Sequence, residues 1–174
     1  MRSILLFLII LCGLASCNNY NRDLKEDPSD KKIRKLALAI AEDYSMKQNK
    51  DLTRTVDEQG IINLAGKGVL YQIDPSKIVL GEINGDSFKD AIVPLIIFRE
   101  PSNPMMAHLV LINRNRKLIN IKVMDNVLKI IEIKDKIIYA EVSTVTPDSP
   151  LFGCEMCREV IKYQLKGDTL SLIK

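Results

Sequence analysis

The feature that most constrains the fold is a series of strand-length apolar segments, separated by short turn-forming segments, between residues 69 and 173. The separators include Asp74-Pro75 and Asn84-Gly85-Asp86, which are residue types that favour tight turns. A parallel pair of strands would need a crossover of about a dozen residues or more, and these separators are too short for one. The pattern therefore predicts antiparallel strands over residues 69–73, 78–83, 91–98, 107–113, 118–124, 128–133, 137–144, 160–165 and 169–173.

A helix is predicted before these strands, over residues 29–48. Asp27-Pro28 or Ser29 can cap it, and apolar side chains recur at helical spacing from Ile33 to Tyr44. The expected fold class is α+β, with an N-terminal helix packed on a twisted, mainly antiparallel β-meander sheet. Residues 51–68 carry no clear pattern. A short helical turn before Gly60 and a loop across residues 65–68 are expected there.

The chain begins with one basic residue, Arg2, and a short apolar run, which together have the form of a secretory signal peptide. The run ends in Leu14-Ala-Ser-Cys17, which resembles the lipobox of bacterial lipoproteins. The resemblance implies that Cys17 is acylated and that the mature protein is anchored to a membrane. The alternative is an ordinary signal peptide followed by an unrelated cysteine. The predicted organisation is a signal peptide over residues 1–16, a lipidated tether over 17–28 and a single α+β domain over 29–174.

The lipobox resemblance also implies a location in the bacterial cell envelope. Asn18 after the cysteine matches the sorting pattern of proteobacterial lipoproteins that reach the outer membrane. The net charge is +3, or +2 without Arg2, and no basic cluster contains interleaved aromatic residues. A nucleic-acid partner is therefore not expected. The expected partner is the membrane, through the lipid anchor, and the sequence does not specify a protein or small-molecule partner.

Residues 81–93, GEINGDSFKDAIV, place side-chain oxygens at the alternate positions of a calcium loop, at Glu82, Asn84, Asp86 and Asp90. Three substitutions weaken the match. Glu82 replaces the usual aspartate, Ser87 replaces the turn glycine, and Val93 replaces the bidentate glutamate. The alternative is that Asn84 and Asp86 shape a turn by bonding to the backbone. No cofactor other than this possible calcium ion is expected.

Cys154 and Cys157 form a second candidate site. A thioredoxin-type pair would place the first thiol at a helix N-terminus, whereas a strand pattern follows here. A zinc site with four ligands cannot be assembled if Cys17 is lipidated and Cys12 is removed with the signal peptide, because His108 is the sole histidine of the chain. In an exported protein a structural disulfide is the simplest interpretation, and a redox-active pair or free thiols are the alternatives. His108 itself lies in a predicted strand without a motif that supplies a nucleophile, so no catalytic residue is predicted.

The order of these segments resembles a family of small exported bacterial proteins without an assigned activity. In that family a loop of the form D-x-N-G-D-G-x-x-D-A, similar to those of FG-GAP repeats, precedes a β-meander and a paired-cysteine segment. The resemblance covers residues 78–174 and implies the architecture and the disulfide. The sequence therefore favours a lipid-anchored, non-enzymatic binding or accessory domain. The alternative is an envelope enzyme, such as a thiol redox protein, that acts through Cys154 and Cys157.

Overall fold

The computed structural model describes residues 27–102, 104–125, 127–146, 149–151 and 154–173. Within these residues the α+β class is confirmed, since a helix packs with antiparallel strands. The predicted signal peptide, Cys17 and the tether up to residue 26 lie outside the described residues. None of the helices in the described part of the chain is both long enough and apolar enough to cross a membrane.

Helix α1 extends over Pro28–Gln48, as the apolar spacing predicts. Its N-cap is Asp27, whose carboxylate accepts a hydrogen bond of 2.8 Å from the backbone N–H of Ser29. Small residues, Ala37 and Ala41, are fully buried on the inner face. Their size lets the helix lie close to the sheet beneath it.

The predicted strands from residue 69 onwards are all present, and a hairpin precedes them. The expectation of a helical turn before Gly60 is wrong, because Asp57 accepts bonds of 2.9 Å from the N–H groups of Gln59 and Ile61 and closes a turn between two strands. The strands are β1 Thr53–Val56, β2 Ile62–Gly66, β3 Val69–Ile73, β4 Val79–Gly81, β5 Asp90–Arg99, β6 Met105–Arg114, β7 Lys117–Asp125, β8 Val127–Lys134, β9 Ile137–Ser143, β10 Arg158–Lys166 and β11 Thr169–Ile173.

The described strands divide between two antiparallel sheets. The larger sheet has seven strands in the order β1-β2-β3-β5-β6-β7, with β4 also paired to β5. The smaller sheet has four strands in the order β11-β10-β9-β8. The chain passes from the larger to the smaller sheet between β7 and β8. The sequence predicts the meander but carries no signal for this division.

Strands β5 and β6 lie at the centre of a three-layer arrangement. Alternate residues on one face, including Val93 and Leu109, pack against α1. Residues on the opposite face, including Ile92 and Val110, pack against the smaller sheet. Both strands are therefore apolar on both faces, which explains their nearly continuous apolar runs. The smaller sheet covers only part of one face of the larger sheet. The candidate site lies on the uncovered part of that face.

Candidate functional site

An interruption in the edge of the larger sheet positions the candidate site. Strands β3 and β4 pair with the same edge of β5, but Gln72 pairs with Ile96 and Val79 pairs with Ile92. In the described pairing, residues 93–95 have no partner on this edge. A 3-10 turn at Pro75–Lys77 lies opposite this gap. The interruption leaves the sheet face open beside Pro94.

The sequence Asp74-Pro-Ser-Lys77 accounts for the turn. The Asp74 carboxylate accepts hydrogen bonds from the backbone N–H of Ser76 at 2.9 Å and from its hydroxyl at 2.6 Å. Pro75 supplies a backbone angle suited to the first position of a helical turn. The turn is therefore stabilised by residues 74–77 themselves, and not by pairing with β5.

A cleft of about 560 Å³ lies beside this turn, between the larger sheet and the first strand of the smaller sheet. Its floor consists of Pro94 and Ile96 from β5 with Met106 and His108 from β6. Leu128 and neighbouring residues of β8 form one wall, and the 3-10 turn forms the other. A mainly apolar concave surface with a few polar groups is typical of small-molecule sites.

His108 is the polar group of the floor. Its side chain is 2 % exposed, and its Nδ1 atom has no hydrogen-bond partner among the described residues. Burial lowers the pKa of His108 from 6.5 to about 4, because desolvation disfavours the charged form. The imidazole is thus neutral near pH 7. Less than 1 Å² of Nδ1 is accessible, so this atom is enclosed by the protein.

Charged groups occur at the rim of the cleft. Lys77 and Lys129 are exposed there, and no ion pair found within the described residues involves either of them. The Asp74 carboxylate also lines the cleft but already accepts the bonds from Ser76. The Gln72 amide donates a hydrogen bond of 2.8 Å to Asn63. The rim is therefore slightly positive, and its polar side chains other than the lysines are engaged.

The oxygens of the predicted calcium loop accept hydrogen bonds from the chain itself. Asn84 accepts from the N–H of Asp86 at 3.1 Å, and Asp86 accepts from the N–H of Phe88 at 2.9 Å. Glu82 accepts from the N–H of Ser87 at 3.3 Å, and Ser87 has φ of 68°, the left-handed conformation that a glycine would normally provide. This bonding is the turn-shaping role that the sequence offered as the alternative to calcium.

Asp90, the last of the loop's predicted ligands, is the first residue of β5 and lies inside the protein. It is fully buried, and its carboxylate accepts from the N–H groups of Ile83, Asn84 and Asn113 at 2.6, 3.3 and 2.7 Å. Burial raises the pKa of Asp90, while these hydrogen bonds act in the opposite direction. Asp90 therefore ties the loop to β6.

A cation already lies beside this loop. A Cβ atom added at Gly85 would meet Nζ of Lys136 at 2.9 Å. In the described residues no group of three or more His, Cys, Asp or Glu side chains is arranged to hold a metal ion. Calcium binding at residues 82–90 stays a prediction.

Cys154 and Cys157 form a disulfide, with Cα atoms 5.1 Å apart. The pair brackets a short 3-10 turn, Glu155–Cys157, which leads directly into β10. The carbonyl of Cys157 accepts a hydrogen bond of 2.8 Å from the N–H of Thr144, which joins this turn to the end of β9. The disulfide thus lies where β9 and β10 begin to pair.

Comparison with protein-family models, curated proteins and solved structures gave no match to this chain. The resemblance to small exported proteins stays a prediction. Sequence reasoning singled out His108 but missed the rest of the cleft, because its floor and walls come from segments far apart in the chain. Proline within an apolar strand was the one local signal, since Pro94 cannot donate a ladder hydrogen bond.

Proposed function

We propose that this protein is a lipid-anchored binding domain of the bacterial cell envelope, and that the cleft receives a small, mainly apolar molecule. The lipobox at Leu14-Ala-Ser-Cys17 supports the anchor. The observation that carries the binding role is the open part of the central sheet, where Ile96 and Met106 line a cleft in place of packing against the smaller sheet.

The chemistry of the cleft favours binding over catalysis. Its one hydroxyl side chain among the described lining residues, Ser76, donates to Asp74 and not to a base. Nδ1 of His108 has neither a nucleophile nor an orienting carboxylate bonded to it in the described residues. A ligand that removes about 200 Å² of apolar surface from water would gain about 5 kcal/mol before the cost of association, which corresponds to weak or moderate affinity.

Binding can be tested with N-phenyl-1-naphthylamine, a neutral fluorophore that brightens in apolar sites. The mature chain, residues 17–174 with Cys17→Ser, retains every described residue and avoids lipid that would absorb the probe. We expect saturable binding that Ile96→Trp weakens at least about fivefold by filling the cleft. Ile131→Trp is the matched control. Ile131 belongs to β8, a strand that contributes to the cleft, but its own side chain is exposed, with 43 % of its surface accessible. Equal loss in both variants, or no binding, would refute the role of the cleft.

The anchor is tested separately, by metabolic labelling of the full chain with an alkyne fatty acid. We expect label on the wild type and on Cys12→Ser, and none on Cys17→Ser. Label that persists in Cys17→Ser would show that the lipobox assignment is wrong. The thiol redox alternative depends on the Cys154–Cys157 disulfide and is addressed by its reduction.

A further inference from the structure

The two lysines at the rim of the cleft belong to opposite walls. Lys77 lies in the 3-10 turn and Lys129 lies in β8, and both side chains line the cleft while they stay exposed to water. Neither takes part in an ion pair within the described residues. Lysine carries its ammonium group on a long, flexible stem, so the two cations can approach an anion at the cleft mouth from both sides.

The charged side chains of the described lining leave one positive charge near pH 7. Lys77 and Lys129 are cations, and Asp74 is an anion. His108 is neutral there, because burial lowers its pKa to about 4. The Asp74 carboxylate accepts bonds from the N–H and the hydroxyl of Ser76 at 2.9 and 2.6 Å, which hold it against its own turn. A ligand with a single negative charge would therefore neutralise the cleft, whereas a cation would add to the excess.

The charge of such a ligand belongs at the rim and its apolar part belongs in the cleft. Pro94, Ile96 and Met106 form an apolar floor. A charged group at that depth would lose its hydration without an opposite charge to compensate. At the rim a carboxylate would keep its contact with water and lie near both lysines. The cleft is thus apolar at its floor and cationic at its mouth, which is complementary to an amphiphilic anion.

We propose that the cleft binds apolar molecules with one negative charge at one end, such as fatty acids, and that the charge is held between Lys77 and Lys129. The apolar tail would lie along Ile96 and Met106. This inference rests on the proposed binding function and names its ligand class.

The test compares decanoate with 1-decanol, which share an alkyl chain and differ in charge, as displacers of N-phenyl-1-naphthylamine from the mature chain with Cys17→Ser. At low ionic strength decanoate should bind about threefold to tenfold tighter than decanol, because ion pairs at an exposed rim contribute modestly. Replacing Lys77 and Lys129 together with glutamine should remove this preference and leave the binding of decanol unchanged. The matched control replaces Lys50 and Lys67 with glutamine. Both are exposed and lie outside the lining of the cleft, so the preference should persist.

Salt provides a second measurement that needs no variant. About 1 M NaCl should reduce the preference for decanoate in the wild type, since exposed charges are screened at that ionic strength. An undiminished preference in salt would overturn the inference even if the variant at residues 77 and 129 does not fold.

The remaining outcomes separate the inference from the binding function. Equal affinity for decanoate and decanol, a preference that survives the substitutions at 77 and 129, or an equal loss in the control variant would overturn the inference and leave an apolar cleft. If neither compound displaces a fluorophore whose binding Ile96→Trp weakens, the inference fails and the binding function stands. If the fluorophore itself does not bind, both proposals fail.

Discussion

Acidification should destabilise this protein through His108. The folded-state pKa of about 4 lies below the ordinary value of 6.5, so between these values the unfolded chain binds a proton that the folded chain does not. Stability is therefore complete above about pH 6.5 and falls as the pH decreases towards 4. Between about pH 7.5 and about pH 4.5, linkage gives a loss of about 2.5 kcal/mol from this residue.

Urea denaturation at the two pH values measures this loss, and His108→Leu isolates it because leucine does not titrate. We expect the wild type to lose about 2.5 kcal/mol more than the variant. Asp90, whose pKa is raised, acts in the opposite direction, and Asp74, Lys77 and Lys129 line the same cleft. These groups are common to both proteins and cancel in the difference. Equal losses, or an NMR titration of the imidazole near pH 6.5, would show that the floor is hydrated and would refute the reasoning.

The other predictions concern the disulfide and the loop of residues 82–90. The Cys154–Cys157 bond should resist mild reductant in a thiol count, and ready reduction would favour the redox alternative. Replacing both cysteines with serine should lower the free energy of unfolding by about 2 kcal/mol or less, because the closed loop is small. Calcium and a chelator should give nearly the same Tm, and a rise of several degrees that Asp86→Ala abolishes would contradict this. In urea denaturation Asp90→Asn should cost about 2–4 kcal/mol, because either amide orientation places its NH₂ group against a backbone N–H. Asp86→Asn, on the exposed part of the loop, should cost less than about 1 kcal/mol, and equal costs would show that burial of Asp90 is not the cause.

The helix and most strands were predictable because their signals are local. The β1–β2 hairpin was not, since all four residues of Thr53–Val56 are exposed and show no apolar alternation. This strand is held by hairpin pairing with β2, and Arg54 forms an ion pair with Glu42 of α1 at 2.7 Å. The alternation in 128–133 is ambiguous for a related reason. An irregular register between Ile130 and Glu132 lets both Ile130 and Ile133 pack in the core.

The candidate site could be predicted only in part. The loop of residues 82–90 and His108 carry recognisable residue types, but whether a side chain is buried or engaged depends on partners elsewhere in the chain. Asp90 illustrates this dependence, because one of its donors is the N–H of Asn113, 23 residues away. The cleft is harder still to predict, since it exists where the smaller sheet does not cover the larger one. No local pattern encodes that boundary.

Pro94 connects the sequence to the cleft. A proline in a central strand removes a donor from the ladder, so the strand beside it has less to gain from continuous pairing. The neighbouring edge departs at this point into the 3-10 turn at Pro75–Lys77, and His108 is the residue that pairs with Pro94 on the other side. The interruption of the sheet and the buried imidazole therefore occur at the same position. The open part of the central sheet, and with it the cleft, therefore begins at the one proline of β5.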